Sequence, residues 1–315
     1  MGIFRSGLLA AFGVVILLVP AEGAVLVPVS MPNSFKTKVF GINDNNVVAG
    51  SFIGKGGRVE HAFFGAVGSD YSTFDGGTGG SQARGINNNG LIAGFSNSQG
   101  GGGITGTQPI FERLSNGTIL NVTASGQQLY GRAQGINVYG KFAGTYWSFQ
   151  EFEAVAFLGR KGNYLRDVPL NYGHQASDGE AINDENVIVG QIFEPPLHGF
   201  ILDGKTLTIV DYPSTKAQGT GLEGINNNGQ ATGQWTDNHN RPHGFLYDVA
   251  SQTFTDILVP GATKVEAWNI NNNGAVAVSS NVGAFIWCAK STECPSGGTF
   301  VAGPMHRAPA RRGTR

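Results

Sequence analysis

The sequence predicts an all-β protein, a six-bladed β-propeller of antiparallel strands, and three observations carry that expectation. The 315 residues include 49 Gly while only 14% are charged, so the chain is rich in turns and poor in the Glu, Lys and Leu of long helices. An Ile-Asn-led pentapeptide recurs six times, from Ile42, Ile86, Ile136, Ile182, Ile225 and Ile270. Its Asn falls at 43, 87, 137, 183, 226 and 271, a mean spacing of 45.6, which is the length of four short strands with their turns.

Each copy specifies a hairpin. Apolar residues stand at the Ile and six positions later, as in Ile86 with Ile92 and Ile182 with Ile188. Side chains alternate along a strand, so a two-residue turn would send them to opposite faces, whereas a three-residue loop such as Asn88-Asn89-Gly90 sets Ile86 against Ile92 on one face. That loop needs a left-handed residue at its end. The position holds Asn46, Gly90, Gly140, Asn186, Gly229 and Gly274, the two residue types that adopt this conformation at low cost. The motif Asn is favoured at the turn's start because its side chain bonds backbone N–H groups ahead of it. The six asparagines are therefore expected to build turns and not to bind a ligand.

The remaining strands follow. Seven residues past the motif Asn stands Gly50, Gly94, Gly144, Gly190 or Gly233, with Val278 in the last copy, expected on a buried face where a neighbouring sheet approaches. A third strand is expected around Phe63, Phe111, Phe157, Phe200, Phe245 and Phe285, after surface loops of differing length. A fourth is expected at 71–74, 118–122, 164–168, 207–211 and 254–258. Val25-Leu26-Val27-Pro28 resembles this outer strand, and so does Gly298-Thr299-Phe300-Val301. One of these two ends should close the ring and the other lie at its edge or fray.

The ends have their own readings. Residues 1–23, with Arg5, the apolar run Leu8 to Val19 and Ala21-Glu22-Gly23, form a signal peptide that predicts Sec-type export to the periplasm or exterior. Residues 24–304 are the propeller, and 305–315, with Arg307, Arg311, Arg312 and Arg315, a disordered basic tail. Residues 24–304 carry 16 basic and 21 acidic groups, the wrong sign for nucleic acid, and no later apolar run is long enough to span a membrane after signal cleavage. A monomer is expected. Cys288 and Cys294, too few for zinc, are read as a disulfide.

The recurring G-I-N-x-x-G-x-ϕ-x-G element, followed by His61-Ala62-Phe63, resembles the HAF family of extracellular repeats found in bacteria. The likeness runs in six copies from Phe40 to Ile286; His198-Gly199-Phe200 and His243-Gly244-Phe245 repeat the second element, while copies two, three and six lack the His. It implies export and a repeated β architecture, and supplies no catalytic residues.

Chemistry-bearing groups are few. His61, His198 and His243 hold equivalent places but in different blades, where each is expected to cap or pack at a strand start instead of joining a shared metal site. Asp237-Asn238-His239-Asn240 resembles a calcium loop only faintly, lacking its Gly and terminal Glu. No catalytic set, metal or cofactor is read. The candidate binding residues are Tyr146, Trp147, Trp235, Asp237 and His239, in loops that vary on a regular frame. The functional expectation is a non-catalytic binding or scaffolding module of the envelope or exterior that contacts a glycan or protein. The alternative is a propeller hydrolase or lyase acting on extracellular polysaccharide, marked by carboxylates or histidines gathered in one deep pocket.

Overall fold

The computed structural model describes residues 23–77, 79–96, 108–148, 153–170 and 176–295, with the backbone at 299–300 and 307–308. The expected signal peptide lies outside these residues apart from Gly23. The described chain is built of strands with one short 3-10 turn at Ser291–Glu293.

Six sheets form six blades, each with three or four consecutive strands running outward in sequence order. Blade one comprises Ser34–Ile42, Val47–Gly54, Glu60–Ala66 and Ser72–Phe74. Blade two comprises Ser81–Ile86, Ile92–Ser96, Ile110–Arg113 and Ile119–Asn121. Blade three comprises Gly131–Ile136, Lys141–Ser148, Glu153–Arg160 and Asn163–Asp167, extended outward by Thr123–Ala124 and Gln127–Gln128. Blade four comprises Ser177–Ile182, Ile188–Ile192, His198–Asp203 and Thr206–Val210. Blade five comprises Gly219–Ile225, Gln230–Thr236, Pro242–Asp248 and Thr253–Asp256, with Arg307–Ala308 added beyond.

Blade six joins the two ends of the chain. Val265–Ile270, Val276–Ser280 and Gly283–Cys288 are completed by Val25–Val29, which pairs antiparallel with the third strand, and Thr299–Phe300 pairs outside it. The N-terminal strand closes the ring, and the C-terminal segment lies at the edge. The Cys288–Cys294 disulfide, with Cα atoms 5.6 Å apart, fastens the segment after the 3-10 turn back to the end of blade six's third strand, beside the point where Cys288 pairs with Val25. In the segment read as a disordered tail, Arg307–Ala308 pairs with Phe254 and Thr255; the rest of 305–315 lies outside the described residues.

All six motif hairpins have the expected register, Ile42 opposite Val48, Ile86 opposite Ile92, Ile136 opposite Phe142, Ile182 opposite Ile188, Ile225 opposite Ala231 and Ile270 opposite Val276. The loop-closing residue is left-handed each time, with φ from 58° at Asn46 to 86° at Gly274. The small residue seven past the Asn meets something other than a neighbouring sheet. A Cβ on Gly94 would sit 2.7 Å from the ring of Phe111, its partner on the next strand of the same blade, so the glycine is a seat for that buried aromatic. Phe63, Phe111, Phe157, Phe200 and Phe245 are all fully buried.

The motif Asn does more than turn the chain. Its Oδ1 accepts two N–H groups of its own loop, as Asn137 accepts those of Tyr139 and Lys141. Its Nδ2 reaches the next blade and donates to the carbonyl of the next motif Asn. The bonds run Asn43 to Asn87 at 3.0 Å, Asn87 to Asn137 at 2.7 Å, Asn137 to Asn183 at 3.1 Å and Asn183 to Asn226 at 3.2 Å. Asn226 to Asn271 and Asn271 to Asn43, each 3.0 Å, complete a closed cycle.

A second ring lies beside it. The N–H of the residue after the motif Asn donates to the side chain of its counterpart in the next blade: Asp44 to Asn88, Val138 to Asp184, Asp184 to Asn227, Asn227 to Asn272 and Asn272 to Asp44. The ring is interrupted at blade three, where Val138 offers Asn88 no acceptor. We predict that Val138→Asn raises stability by about 1 kcal/mol by supplying that bond, and that Asn137→Ala lowers it by about 3 kcal/mol by removing three. Urea unfolding at constant m-value checks both.

Candidate functional site

The innermost strands each carry a β-bulge just before the motif, for example between Ala83 and Gly85 and between Leu222 and Gly224. A bulge sets two residues against one and re-aims a side chain. Here it turns the residue three before the motif Asn toward the axis. Phe40, Arg84, Gln134, Glu180, Glu223 and Trp268, one from each blade, line a narrow axial cavity of about 10 Å³. The glycine of G-I-N makes room for this arrangement: a Cβ on Gly41 would lie 2.8 Å from the Arg84 carbonyl of the next blade.

Charge in the channel is divided by sector. Counting the strand positions two residues further from the motif, blades one to three supply Lys38, Arg84 and Arg132, and blades four to six supply Asp178, Glu180, Glu223 and Glu266. Lys38 meets Glu266 at 2.7 Å across the junction of blades one and six. The Arg84 guanidinium lies 4.1 Å from the Phe40 ring centre and 4.3 Å from that of Trp268, and its Nε donates to Gln134 Oε1. Two aromatic faces and one amide hold it in place, a burial that an arginine tolerates better than a lysine.

The acidic wall is compressed. Burial raises the Glu180 carboxyl well above its ordinary value, and the neighbouring Glu223 and Asp178 raise it further against the pull of Arg84 and Arg132. Burial likewise raises Glu223 to about 7, with Arg84 opposing and Asp178 and Glu266 adding to it. Asp178 is raised by burial as well, and Gln191 Nε2 lies 3.4 Å from both Asp178 and Glu180. Because the folded protein keeps these protons to higher pH than the unfolded chain, raising the pH from about 5 toward 8 costs stability. We predict a decline of about 2 kcal/mol over that window, flattened by Glu223→Gln, which also stabilises the protein at pH 8. Thermal unfolding as a function of pH is the measurement.

The other mouth of the axis lies at the Asn ring, where a cavity of about 60 Å³ is lined by motif asparagines, Asp44, Asp184 and their counterparts. Its polar atoms are engaged with each other; Asp44, for instance, accepts from Asn88 and Asn272.

None of the candidate residues named from the sequence lines either cavity; Tyr146, Trp147 and Trp235 stand toward the ends of second strands, and Asp237 and His239 in the loop that follows, on the side opposite the Asn ring. Tyr146 and Trp147 belong to blade three, and Trp235, Asp237 and His239 to blade five, so the structure does not unite them. Tyr146 packs edge-on against Phe157 and Tyr164. Trp147 is half-buried on the same strand. Trp235 is stacked on Tyr212 at 5.0 Å and on His243 at 4.2 Å, which commits its ring to internal packing.

Asp237 repeats the motif turn. Its Oδ1 accepts the N–H of His239 and Arg241, and Asn240 is left-handed at φ 56°, which accounts for the faint calcium-loop pattern. His239 is exposed at the tip. The three equivalent histidines each meet a carboxylate of their own blade, His61 with Asp75 at 2.7 Å, His198 with Asp211 at 2.8 Å and His243 with Asp237 at 3.1 Å. Among the described residues no three His, Cys, Asp or Glu side chains are placed to hold one metal ion.

Sequence reasoning missed the channel lining because the bulge shifts which residue faces the axis. The available signal was the glycine two before each Asn, kept in four copies at Gly41, Gly85, Gly135 and Gly224.

Comparison with known proteins bears on the fold. No family model matches the chain, and no curated protein matches it. Among solved structures, a putative TolB from Agrobacterium tumefaciens is similar with a TM-score of 0.52 and 13% identity, over 75% of this chain and 88% of that one. The β-propeller domain of the Trilobed protease from Pyrococcus furiosus gives a TM-score of 0.49 and 10% identity, over 86% and 85%. A polysaccharide lyase that acts on ulvan gives 0.42 and 10%, over 81% and 78%. At these identities the likeness speaks to architecture alone, and it is the six sheets in a ring closed by Val25–Val29 that make this chain a six-bladed β-propeller.

Proposed function

We propose that this propeller is an exported binding or scaffolding module of the cell envelope or exterior, a member of the HAF type of repeat, and that it meets a glycan or protein through the rim opposite the Asn ring. The observation that carries the reading is the contrast between the two rims. On one, six near-identical turns are fastened by a closed ring of hydrogen bonds. On the other, the connections between second and third strands run 55–59, 97–109, 149–152, 193–197, 237–241 and 281–282, from thirteen residues down to two. Recognition is commonly carried by variable loops held on a rigid frame. The Cys288–Cys294 disulfide suits an oxidising compartment. No helix among the described residues is long and apolar enough to cross a membrane.

The alternative of a polysaccharide hydrolase or lyase has one feature in its favour, the gathered acids Asp178, Glu180 and Glu223. Each is at most 6% exposed, and the cavity beside Glu180 and Glu223 has room for about one water and not a sugar ring. The acids serve the frame better than they serve a substrate.

The full-length protein and a variant with residues 237–241 replaced by Asn-Gly should be screened on a glycan array and against purified envelope proteins. We expect the parent to bind an envelope component and the variant, at unchanged unfolding midpoint, to bind it about tenfold more weakly. Binding of no envelope component, or polysaccharide cleavage abolished by Glu223→Gln, would overturn the reading.

A further inference from the structure

A propeller's outermost strands are its exposed edges, and this fold covers several of them. Blade three's edge carries Thr123 beside Asn163, blade five's carries Arg307–Ala308, and blade six's carries Thr299–Phe300. Blades one and two end in strands of only three residues, Ser72–Phe74 and Ile119–Asn121. Blade four differs. Its outer strand Thr206–Val210 has five residues, pairs without a bulge along its whole length with His198–Asp203, and has no outer neighbour among the described residues. Thr-Leu-Thr-Ile-Val contains no charge and no Pro, the devices that ordinarily blunt an edge, and Lys205, Thr206 and Thr208 are exposed.

We propose that this edge is a self-association surface, pairing antiparallel with the same strand of a second copy about a two-fold axis at Thr208. The backbone supports that register. Gly204-Lys205 makes a two-residue turn closed by Asp203 and Thr206, with Gly204 at φ 60°. The closing pair of such a turn is hydrogen-bonded, so Thr206, Thr208 and Val210 direct their N–H and C=O inward and Leu207 and Ile209 direct theirs outward. Centring on Thr208 sets Leu207 against the partner's Ile209, and both outward-facing pairs are then satisfied. It also sets Lys205 against the partner's Asp211, opposite charges on exposed residues, twice by symmetry. The threonines at the centre face each other, a favourable cross-strand pair. A register shifted by two residues loses the charge match and shortens the overlap, which is why a second copy, and not an arbitrary extended peptide, is the occupant that fits.

Sedimentation of the full-length protein over roughly a hundredfold range of concentration tests the proposal. The parent should form a concentration-dependent dimer. Thr208→Lys and Thr208→Glu, each placing like charges across the axis from an exposed position, should weaken it about fivefold or more without moving the unfolding midpoint. Mixing the two variants should restore association as a heterodimer. A parent that stays monomeric throughout, a dimer indifferent to both substitutions, or an edge that takes a foreign peptide but not itself, would overturn it.

Discussion

The constraint on which this molecule depends is the buried carboxamide that links each blade to the next. Each motif Asn is 3–6% exposed, and in that setting an unpaired amide would cost about 1–3 kcal/mol per group. The fold engages both of its ends: two local N–H groups on the oxygen, one foreign carbonyl on the nitrogen. Asp cannot replace it, since a carboxylate has no donor for the neighbouring carbonyl, and Ser is too short to serve both ends. The bond from Asn271 to Asn43 joins residues 228 apart, so the last link forms only when all six blades are in place. Local turns thereby become a cooperative ring.

The bulge that precedes the motif has a second consequence. By turning one residue per blade inward, it creates a channel that must be filled, and the filling is not symmetric. Phe40 and Trp268 clasp Arg84, while Glu180 and Glu223 lie in the opposing sector. Three basic groups face four acidic ones, and burial keeps part of the acidic set protonated near neutrality, so the interior approaches electrical balance. An excess negative charge in so confined a space would otherwise need an outside cation. A retained proton achieves the same balance within a cavity too small for much else.

Much of the frame was legible in the sequence because its determinants are local. The left-handed position admits only Gly or Asn, strand alternation fixes Ile86 opposite Ile92, and the recurring Phe marks a third strand whose place follows from the hairpin. What could not be read were relations between blades. Nothing within one repeat says that Asn87 Nδ2 will donate to the carbonyl of Asn137, fifty residues away. The bulge was hidden for a subtler reason: it leaves the register of the motif hairpin intact and displaces only the residues before it, so parity counted outward from the turn fails at Arg84. The packing of Trp235 was hidden in the same way, because composition shows an aromatic near a loop but not that Tyr212 and His243 stack on its ring.

The same constraint explains where variation is permitted. A residue inserted into a motif turn would displace an amide from its partner and interrupt the cycle, and a change inside the channel would have to repay a charge or refill a space. The opposite rim is subject to neither. There the chain needs only to return from the second strand to the third, and Asp237 shows how simply this is done, with a single carboxylate accepting two N–H groups in the manner of the motif Asn but with no obligation to the next blade. Loop closure adds only about 0.6 kcal/mol for each doubling of length. A connection of thirteen residues in blade two and one of two residues in blade six are therefore compatible with one frame, and the repeats differ in length on that rim without disturbing the other.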